Sequence, residues 1–275
     1  MKVLIVGLGL IGGSYAKGLS QKGYEVYGVD KNIETIEFAM NSGYVLDASI
    51  YPEDYLQIVD MVILTLYPED ILPFLNRYKY LFKPNLVITD TCGIKANIVK
   101  EATSLALPAN FVGSHPMAGK EKVGIKFADP EIFKKGNYLL TVTNDTDLEA
   151  TLKVKEIALA LEFKNIYMMS PEEHDKMIAY TSQLTHAIAV ALVNSENNLE
   201  VEKYIGDSYR DLTRIAMINE GLWMELFKNN KNNLVEEIDK FIDELNKIKT
   251  SLTEEDYAKL IRLFKSSKMK RGALN

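Results

Sequence analysis

Short apolar runs, most of them rich in β-branched residues, alternate with amphipathic segments over the first 168 residues of the chain. The runs predict strands, and the segments between most of them have the 3.6-residue period of helices. This alternation is typical of βαβ units around a parallel sheet. The predicted strands cover residues 2–6, 25–29, 61–66, 86–89, 110–113 and 138–143, with a final strand near 165–168.

The pattern changes after Pro171, because only long helical periods follow, as far as about residue 263. Ser170 and Pro171 make a favourable helix start, since serine caps the helix and proline suits its first position. We expect a turn at 229–233 and a further helix that starts at 251–255. The predicted architecture is α/β, with a doubly wound parallel sheet in residues 1–168 and an all-helical domain in residues 169–275.

A glycine-rich turn follows the first predicted strand, opens a helix, and is followed by a second strand that ends at Asp30. The glycines allow a tight turn and close approach of a pyrophosphate to the helix N-terminus. Asp30 is positioned to accept hydrogen bonds from a ribose and would repel a 2′-phosphate, which favours NAD over NADP, although Lys31 partly offsets that repulsion. The alternative is a turn that binds nothing. The four features together predict a Rossmann-type NAD site formed by Gly7, Gly9, Leu10, Ile11, Gly12 and Asp30.

Three loops that follow later strands carry chemically active side chains, at residues 67–68, 90–95 and 113–121. In a doubly wound sheet such loops surround the reactive ring of the cofactor. His115 is the one group in them that titrates near neutral pH unless perturbed. It is therefore the predicted general base, which removes a hydroxyl proton while hydride leaves the adjoining carbon. Cys92 is an alternative active thiol, although single cysteines are commonly structural.

Polar side chains also line up on the helix predicted after Pro171. Asp175, Ser182 and His186 lie within about 40° of one another, because each residue turns an α-helix by about 100°. The stripe is either part of a site or a hydrogen-bonded cluster between domains.

Two arginines, Arg210 and Arg214, alternate with Asp207 and Asp211 at helical spacing. The pattern fits a surface with weak ion pairs. It fits equally well an arginine that binds a substrate carboxylate through two parallel hydrogen bonds. The spacing does not separate these two interpretations.

Composition narrows the choice of partners and compartment. The chain has 275 residues, of which 32 are basic and 38 acidic, and its net charge of −6 argues against nucleic acid. A single cysteine excludes an internal disulfide and fits a reducing compartment. We find no signal peptide and no apolar stretch of about 18 residues, so we expect a cytoplasmic protein without a membrane partner. The three histidines lack metal-ligand spacing, so we expect no metal.

Several of these segments resemble, in the same order, those of the prephenate dehydrogenase family and its arogenate-using relatives. The most specific are Ser-His-Pro-Met-Ala-Gly at 114–119 and Asp-Leu-Thr-Arg-Ile-Ala at 211–216, and the match spans roughly residues 1–264. The resemblance implies NAD-dependent oxidative decarboxylation of prephenate to 4-hydroxyphenylpyruvate in tyrosine biosynthesis, and a homodimer formed through the helical domain. The alternatives are arogenate as substrate, a 3-hydroxy acid dehydrogenase of the same architecture, or a dinucleotide sensor without turnover.

The resemblance also assigns roles to particular residues. His115 matches the catalytic histidine, and Arg214 matches the arginine that holds the ring carboxylate. Many relatives have Gly-Ser where this chain has Cys92-Gly93, so we expect Ser114 or Thr91 to replace the missing hydroxyl. The resulting site comprises His115 and Ser114 as catalytic residues, Thr91 beside the cofactor, and Arg214, Glu121, Asp175, Ser182, His186 and Trp223 around the substrate. Gln183 and Thr185 replace a family histidine and proline, which removes one possible substrate contact.

Overall fold

Within residues 1–120 and 122–274, which the computed structural model describes, eight strands form one sheet in the order β3-β2-β1-β4-β5-β6-β7-β8. The side chain of Leu199 is also outside the description. Residues Met1–Asn230 form one compact unit, and a second unit begins at Lys231. The strands are β1 Lys2–Val6, β2 Glu25–Val29, β3 Asp47–Ser49, β4 Met61–Leu64, β5 Val87–Asp90, β6 Asn110–Pro116, β7 Asn137–Thr141 and β8 Asn165–Met169.

The sheet is mostly parallel, which confirms the predicted fold class, but one pair departs from the prediction. Strands β6 and β7 are antiparallel, with Ser114 opposite Leu140. Parallel neighbours need a long crossover, usually a helix. The described part of the β6–β7 connection contains only short 3-10 turns. Strand β3 is a second difference from the prediction, because its three residues form a short edge strand without an apolar run.

Eleven α-helices lie in the described residues. They are α1 Leu10–Gln21, α2 Ile33–Asn41, α3 Pro68–Tyr78, α4 Ala96–Ser104, α5 Leu148–Ala160, α6 Pro171–Ile178, α7 Leu184–Asn194, α8 Asp207–Thr213, α9 Glu220–Asn229, α10 Lys231–Thr253 and α11 Tyr257–Gly272. Across these helices, none combines the length and apolar composition needed to cross a membrane.

Two of the predicted helix starts have different outcomes. Ser170 caps α6 as predicted, and its hydroxyl accepts a hydrogen bond from the Glu173 N–H at 3.1 Å. The further helix predicted to start at 251–255 is present but begins later, at Tyr257 with Asp256 as its cap, because α10 continues to Thr253. The Ser251 hydroxyl bonds back to the Lys247 carbonyl at 2.8 Å inside the helix, so it caps nothing.

The core of the first unit lies on both faces of the sheet. Val3 and Ile5 of β1 pack in one cluster with α1 and α5, whereas Leu4 and Val6 pack in a second cluster with α3 and α4. This alternation follows from the two-residue period of a strand. Strands β1, β2, β4, β5 and β6 run in the same direction. Their carboxyl ends, and the loops that carry the candidate side chains, therefore meet at one edge of the sheet.

Candidate active site

The glycine turn after β1 leaves an open approach to the N-terminus of α1. Gly7 has a φ of +93°, and a Cβ on it would lie 2.7 Å from the Thr65 carbonyl oxygen. A Cβ on Gly12 would lie 1.8 Å from the Gly7 oxygen, so the turn tolerates only glycine there. Around Gly9, in contrast, no described heavy atom beyond its own chain neighbours lies within 4 Å of the Cβ position. Leu10 and Ile11 form the first turn of α1, where backbone N–H groups have no intrahelical acceptor. This arrangement fits a pyrophosphate.

Asp30 lies at the end of β2 with its carboxylate already oriented. The Leu8 N–H donates to Oδ2 at 2.7 Å, and the Asn32 N–H donates to Oδ1 at 2.9 Å. A carboxylate has about four acceptor positions. Two backbone donors therefore leave capacity for the hydroxyl groups of a ribose.

Three side chains form a hydrogen-bonded chain between β6 and α6. His115 Nδ1 lies 2.9 Å from His174 Nε2, and His174 Nδ1 lies 2.8 Å from Asp175 Oδ1. The Asp175 carboxylate also accepts from the backbone N–H groups of Lys95 at 2.7 Å and Ala96 at 2.9 Å, at the start of α4. His174 and Asp175 are buried and His115 is half-buried.

Burial favours the neutral form of His115 and of His174. It lowers the pKa of His115 well below its usual value, and the neighbouring His174 and Lys95 act in the same direction. Burial also lowers the pKa of His174, although the hydrogen bond to Asp175 opposes the change. A neutral imidazole keeps one nitrogen lone pair, so each ring can accept one hydrogen bond as well as donate one.

The loop between β5 and α4 is held by a fully buried ion pair between Asp90 and Lys95. The Asp90 carboxylate also accepts from the backbone N–H groups of Cys92 at 3.0 Å and Ser114 at 3.2 Å. Burial raises the pKa of the Cys92 thiol to about 12, so the thiol stays protonated near neutral pH. This argues against Cys92 as a nucleophile.

Gly93, in this loop, lies directly against the catalytic candidate. A Cβ on Gly93 would lie 3.7 Å from His115 Nε2 and 3.3 Å from Leu226 Cδ2 of α9. Nε2 is the nitrogen that His115 does not use toward His174. A serine at position 93, as many relatives have, would therefore place its side chain next to this nitrogen.

Ser114 and Thr91, the expected replacements, are directed elsewhere. The buried Ser114 hydroxyl donates to the Asp90 carbonyl at 2.6 Å and lies 2.8 Å from the Tyr138 hydroxyl. The Thr91 hydroxyl points to the Leu64 carbonyl at 3.4 Å. This placement favours a supporting role for Ser114 in place of the predicted catalytic one, because its hydroxyl is enclosed in the interior network.

The polar stripe predicted along one continuous helix is interrupted. A π-helical turn, Ala179–Gln183, separates α6 from α7 and breaks the 3.6-residue period. The Asp175 carboxylate faces the start of α4, where it accepts from the Lys95 and Ala96 N–H groups, and this placement favours a supporting role over the predicted contact with substrate. Ser182 is half-buried and its carbonyl lies 2.9 Å from His186 Nδ1. His186 stacks on Trp223 of α9, with ring centroids 3.6 Å apart, so these two predicted residues do come together.

Gln183 explains one departure from the family pattern. Its buried side chain donates to the Leu226 carbonyl at 3.0 Å and accepts from Asn230 at 2.8 Å. Position 183 thus attaches α9 to the π-helical turn. The glutamine that this chain has there is therefore engaged within the protein, by Leu226 and Asn230.

The arginine segment divides into two environments. Arg210 pairs with Asp207 at 3.2 Å, and both side chains are exposed, which is the weak surface pair that the spacing allowed. Arg214 begins the short turn Arg214–Ala216, which packs against α7, the helix that carries His186. Glu121 lies outside the described residues. Within the described ranges no group of three or more His, Cys, Asp or Glu side chains is arranged to hold a metal.

His174 is a site residue to which the sequence pattern assigns no role, and the structure places it between His115 and Asp175. It lies one position before the predicted stripe, and its imidazole contacts a residue 59 positions earlier. The sequence holds a His-Asp pair at 174–175, but the spacing of these residues alone does not reveal the partner of the histidine.

Comparison with known proteins matches both parts of the chain. Residues 15–167 match the family described as "Prephenate dehydrogenase, nucleotide-binding domain", and residues 170–266 match "Prephenate dehydrogenase, dimerization domain". The prephenate dehydrogenase of Bacillus subtilis is 32% identical over 284 residues, which cover 99% of this chain and 76% of that protein.

Solved structures that are similar over the whole chain include a prephenate dehydrogenase and an arogenate dehydrogenase. A prephenate dehydrogenase from A. aeolicus, in complex with hydroxyphenyl propionate and NAD+, has a TM-score of 0.92 and 31% identity, covering 100% of this chain and 98% of that one. A Synechocystis arogenate dehydrogenase has a TM-score of 0.85 and 27% identity, covering 100% of both chains.

Proposed function

The chain belongs to the prephenate dehydrogenase family, and from that premise we propose that it converts prephenate and NAD+ to 4-hydroxyphenylpyruvate, carbon dioxide and NADH. The observation that carries this proposal is the placement of His115 at the carboxyl edge of the sheet. Its Nδ1 is engaged by His174, and its Nε2 lies beside Gly93. The protein is accordingly an oxidoreductase of tyrosine biosynthesis.

The residues of the glycine turn fit the cofactor. The open space at Gly9 and the first-turn amides of α1 would hold the pyrophosphate, and the Asp30 carboxylate would accept from the ribose hydroxyls. When bound, NAD+ supplies the hydride acceptor. Asp30 favours NAD over NADP, because a 2′-phosphate next to a carboxylate is repelled.

His115 assists the reaction by accepting a hydrogen bond from the ring hydroxyl. The C4–H bond breaks with loss of hydride, and the bond from C1 to its carboxylate breaks as well. The electron pair of that second bond enters the ring, which becomes aromatic while carbon dioxide leaves. The hydroxyl remains on the product as a phenol, so Nε2 of His115 has to hold the proton in place without keeping it. Orientation and an acceptor are therefore the main requirements on the protein.

Three residues are proposed to hold the substrate. Arg214 binds the ring carboxylate until it leaves as carbon dioxide, because a guanidinium matches a carboxylate with two parallel hydrogen bonds. The stacked pair of His186 and Trp223 offers a flat surface for the ring. The packing of the Arg214 turn against α7 supports this grouping.

Arogenate is the second candidate substrate. It differs from prephenate only in the side chain, where an amino acid replaces the keto acid, and the similar Synechocystis structure is an arogenate dehydrogenase. Prephenate is favoured because the relatives at 32% and 31% identity are both prephenate dehydrogenases.

We further propose a cytoplasmic homodimer in which residues 1–168 bind the cofactor and residues 169–275 pair two copies. The match of 170–266 to a dimerization domain supports the pairing. Helices α10 and α11 also expose apolar side chains of the kind that a dimer covers, among them Leu245, Leu252, Ile261 and Phe264.

One set of assays tests the substrate and the cofactor together. NADH or NADPH formation is followed from prephenate and from arogenate, each with NAD+ and with NADP+. We expect the highest kcat/KM for prephenate with NAD+. A higher value for arogenate would replace the substrate, and no turnover in any of the four combinations would refute the proposed reaction.

A further inference from the structure

We propose that His174 is a positioning residue that selects the tautomer of His115, and that Asp175 in turn selects the tautomer of His174. The inference rests on the proposed function, because it explains how His115 presents an acceptor nitrogen to the substrate hydroxyl. Its structural basis is the chain of two hydrogen bonds that ends at a buried carboxylate.

Asp175 determines the donor and acceptor of each hydrogen bond in the series His115–His174–Asp175. Its carboxylate receives the backbone N–H groups of Lys95 and Ala96 at the N-terminus of α4, where a negative charge is favoured. An ionised carboxylate only accepts hydrogen bonds. The third group within reach of it, His174 Nδ1 at 2.8 Å, must therefore carry a proton and donate it.

This donation determines the rest of the chain. A neutral imidazole with a proton on Nδ1 has a lone pair on Nε2. His174 Nε2, 2.9 Å from His115 Nδ1, then accepts, so that His115 carries its proton on Nδ1. The lone pair of His115 is left on Nε2, beside Gly93, where the proposed reaction needs an acceptor.

The charges that face the two rings agree with this assignment. The charge of Lys95 disfavours the doubly protonated, cationic form of both imidazoles, while Asp175 and Asp90 act in the opposite direction on His174. Burial decides the balance in favour of neutral rings. If His174 also carried a proton on Nε2, that nitrogen would donate to His115 Nδ1 and reverse the tautomer of the His115 ring.

The tautomers can be measured directly, because the chain has only three histidines. We would label the histidines with ¹⁵N and record long-range ¹H–¹⁵N spectra of the full-length protein, using His186→Gln and His174→Gln to assign the signals. A protonated ring nitrogen and one with a lone pair have clearly different shifts. In the wild type we expect His115 to be protonated on Nδ1 and unprotonated on Nε2, whether or not the protein turns over prephenate.

Two substitutions at position 174 separate positioning from packing. His174→Gln keeps an oxygen that can accept from His115, whereas His174→Leu keeps volume without an acceptor. We expect His174→Leu to lower kcat by about 10- to 100-fold with little change in KM, less than the roughly 10²- to 10⁴-fold typical of removing an acid–base group. His174→Gln should recover most of kcat and the Nδ1–H tautomer of His115. Lys176→Gln, an exposed change on the same helix, is the control and should change neither.

The outcomes discriminate between the possibilities. A wild-type His115 protonated on Nε2 overturns the proposal, and so does an equal loss of kcat in both variants at position 174 while the tautomer is unchanged. If His174→Leu does not fold, the wild-type spectrum and His174→Gln still decide. Absence of turnover in a wild type with the expected tautomer would instead contradict the proposed function.

Discussion

Replacing Lys95 with methionine should destabilise the protein strongly and also change its pH profile. Lys95 and Asp90 are both fully buried, so water does not screen the charge that remains on Asp90 after the substitution. Removing one partner of a buried pair costs about 3–5 kcal/mol. This is a large part of the roughly 5–15 kcal/mol by which a typical protein is stable, and we expect Lys95→Met to lose about that amount.

The measurement is urea unfolding followed by circular dichroism, at pH 7 and low temperature. Lys100→Met changes an exposed lysine on the same helix, α4, and should stay within about 0.5 kcal/mol of the wild type. The double variant Asp90→Asn/Lys95→Met should lose less than the two single variants added together, because neither charge is then left alone. A loss below about 1 kcal/mol in Lys95→Met would refute this account of the buried pair.

Lys95→Met also has a kinetic consequence. Lys95 helps to lower the pKa of His115, so its removal should raise that pKa, although burial and His174 continue to act. The neutral imidazole is the active form, so kcat/KM falls as the pH drops through the pKa of His115. In Lys95→Met this acid limb should lie at a higher pH than in the wild type. An acid limb at the same pH in both proteins would show that Lys95 has no electrostatic effect on His115.

Three further predictions concern the site itself. His115→Asn should lower kcat by roughly 10²- to 10⁴-fold with little change in NAD+ affinity, measured by steady-state kinetics and calorimetry, and near wild-type turnover would remove His115 from the mechanism. Burial lowers the pKa of His115, so the kcat/KM of the wild type should stay constant at pH values just below the ordinary histidine pKa. It should decrease only as the pH drops through the lowered pKa, and a half-maximal kcat/KM near pH 6.5 or above contradicts this expectation. Arg214→Ala should raise KM for prephenate. An unchanged KM and kcat/KM would show that Arg214 does not bind the substrate.

The fold was predictable wherever the local pattern determines the structure. The apolar run at 2–6, the glycine turn and the cap at Ser170 depend on neighbouring residues, and all three appear in the structure. The direction of β7 depends instead on the connection that precedes it. That connection holds short turns in its described part, and the apolar pattern of the strand carries no information about its direction.

The candidate site was predictable in its residue types and less so in their partners. Asp175 was recognised as a polar residue on a helix suited to burial, and its position was projected on an uninterrupted 3.6-residue period. The π-helical turn breaks that period. The partners of Asp175 are two backbone N–H groups about 80 positions earlier, which no side-chain pattern records.

These partners link α6 to the sheet, and residues 169–230 belong to the same compact unit as the sheet. Asp175 holds α6 to the start of α4, and His174 of α6 bonds to His115 of β6. The bonds cross the point near residue 168 where the two family matches meet. A separation of α6 from the sheet would break both bonds and release the His115 ring from its tautomer. The lone pair on His115 Nε2 therefore depends on both the cofactor-binding segment and α6. The cofactor-binding segment alone would keep His115 but would lack the His174 and Asp175 side chains that fix its tautomer.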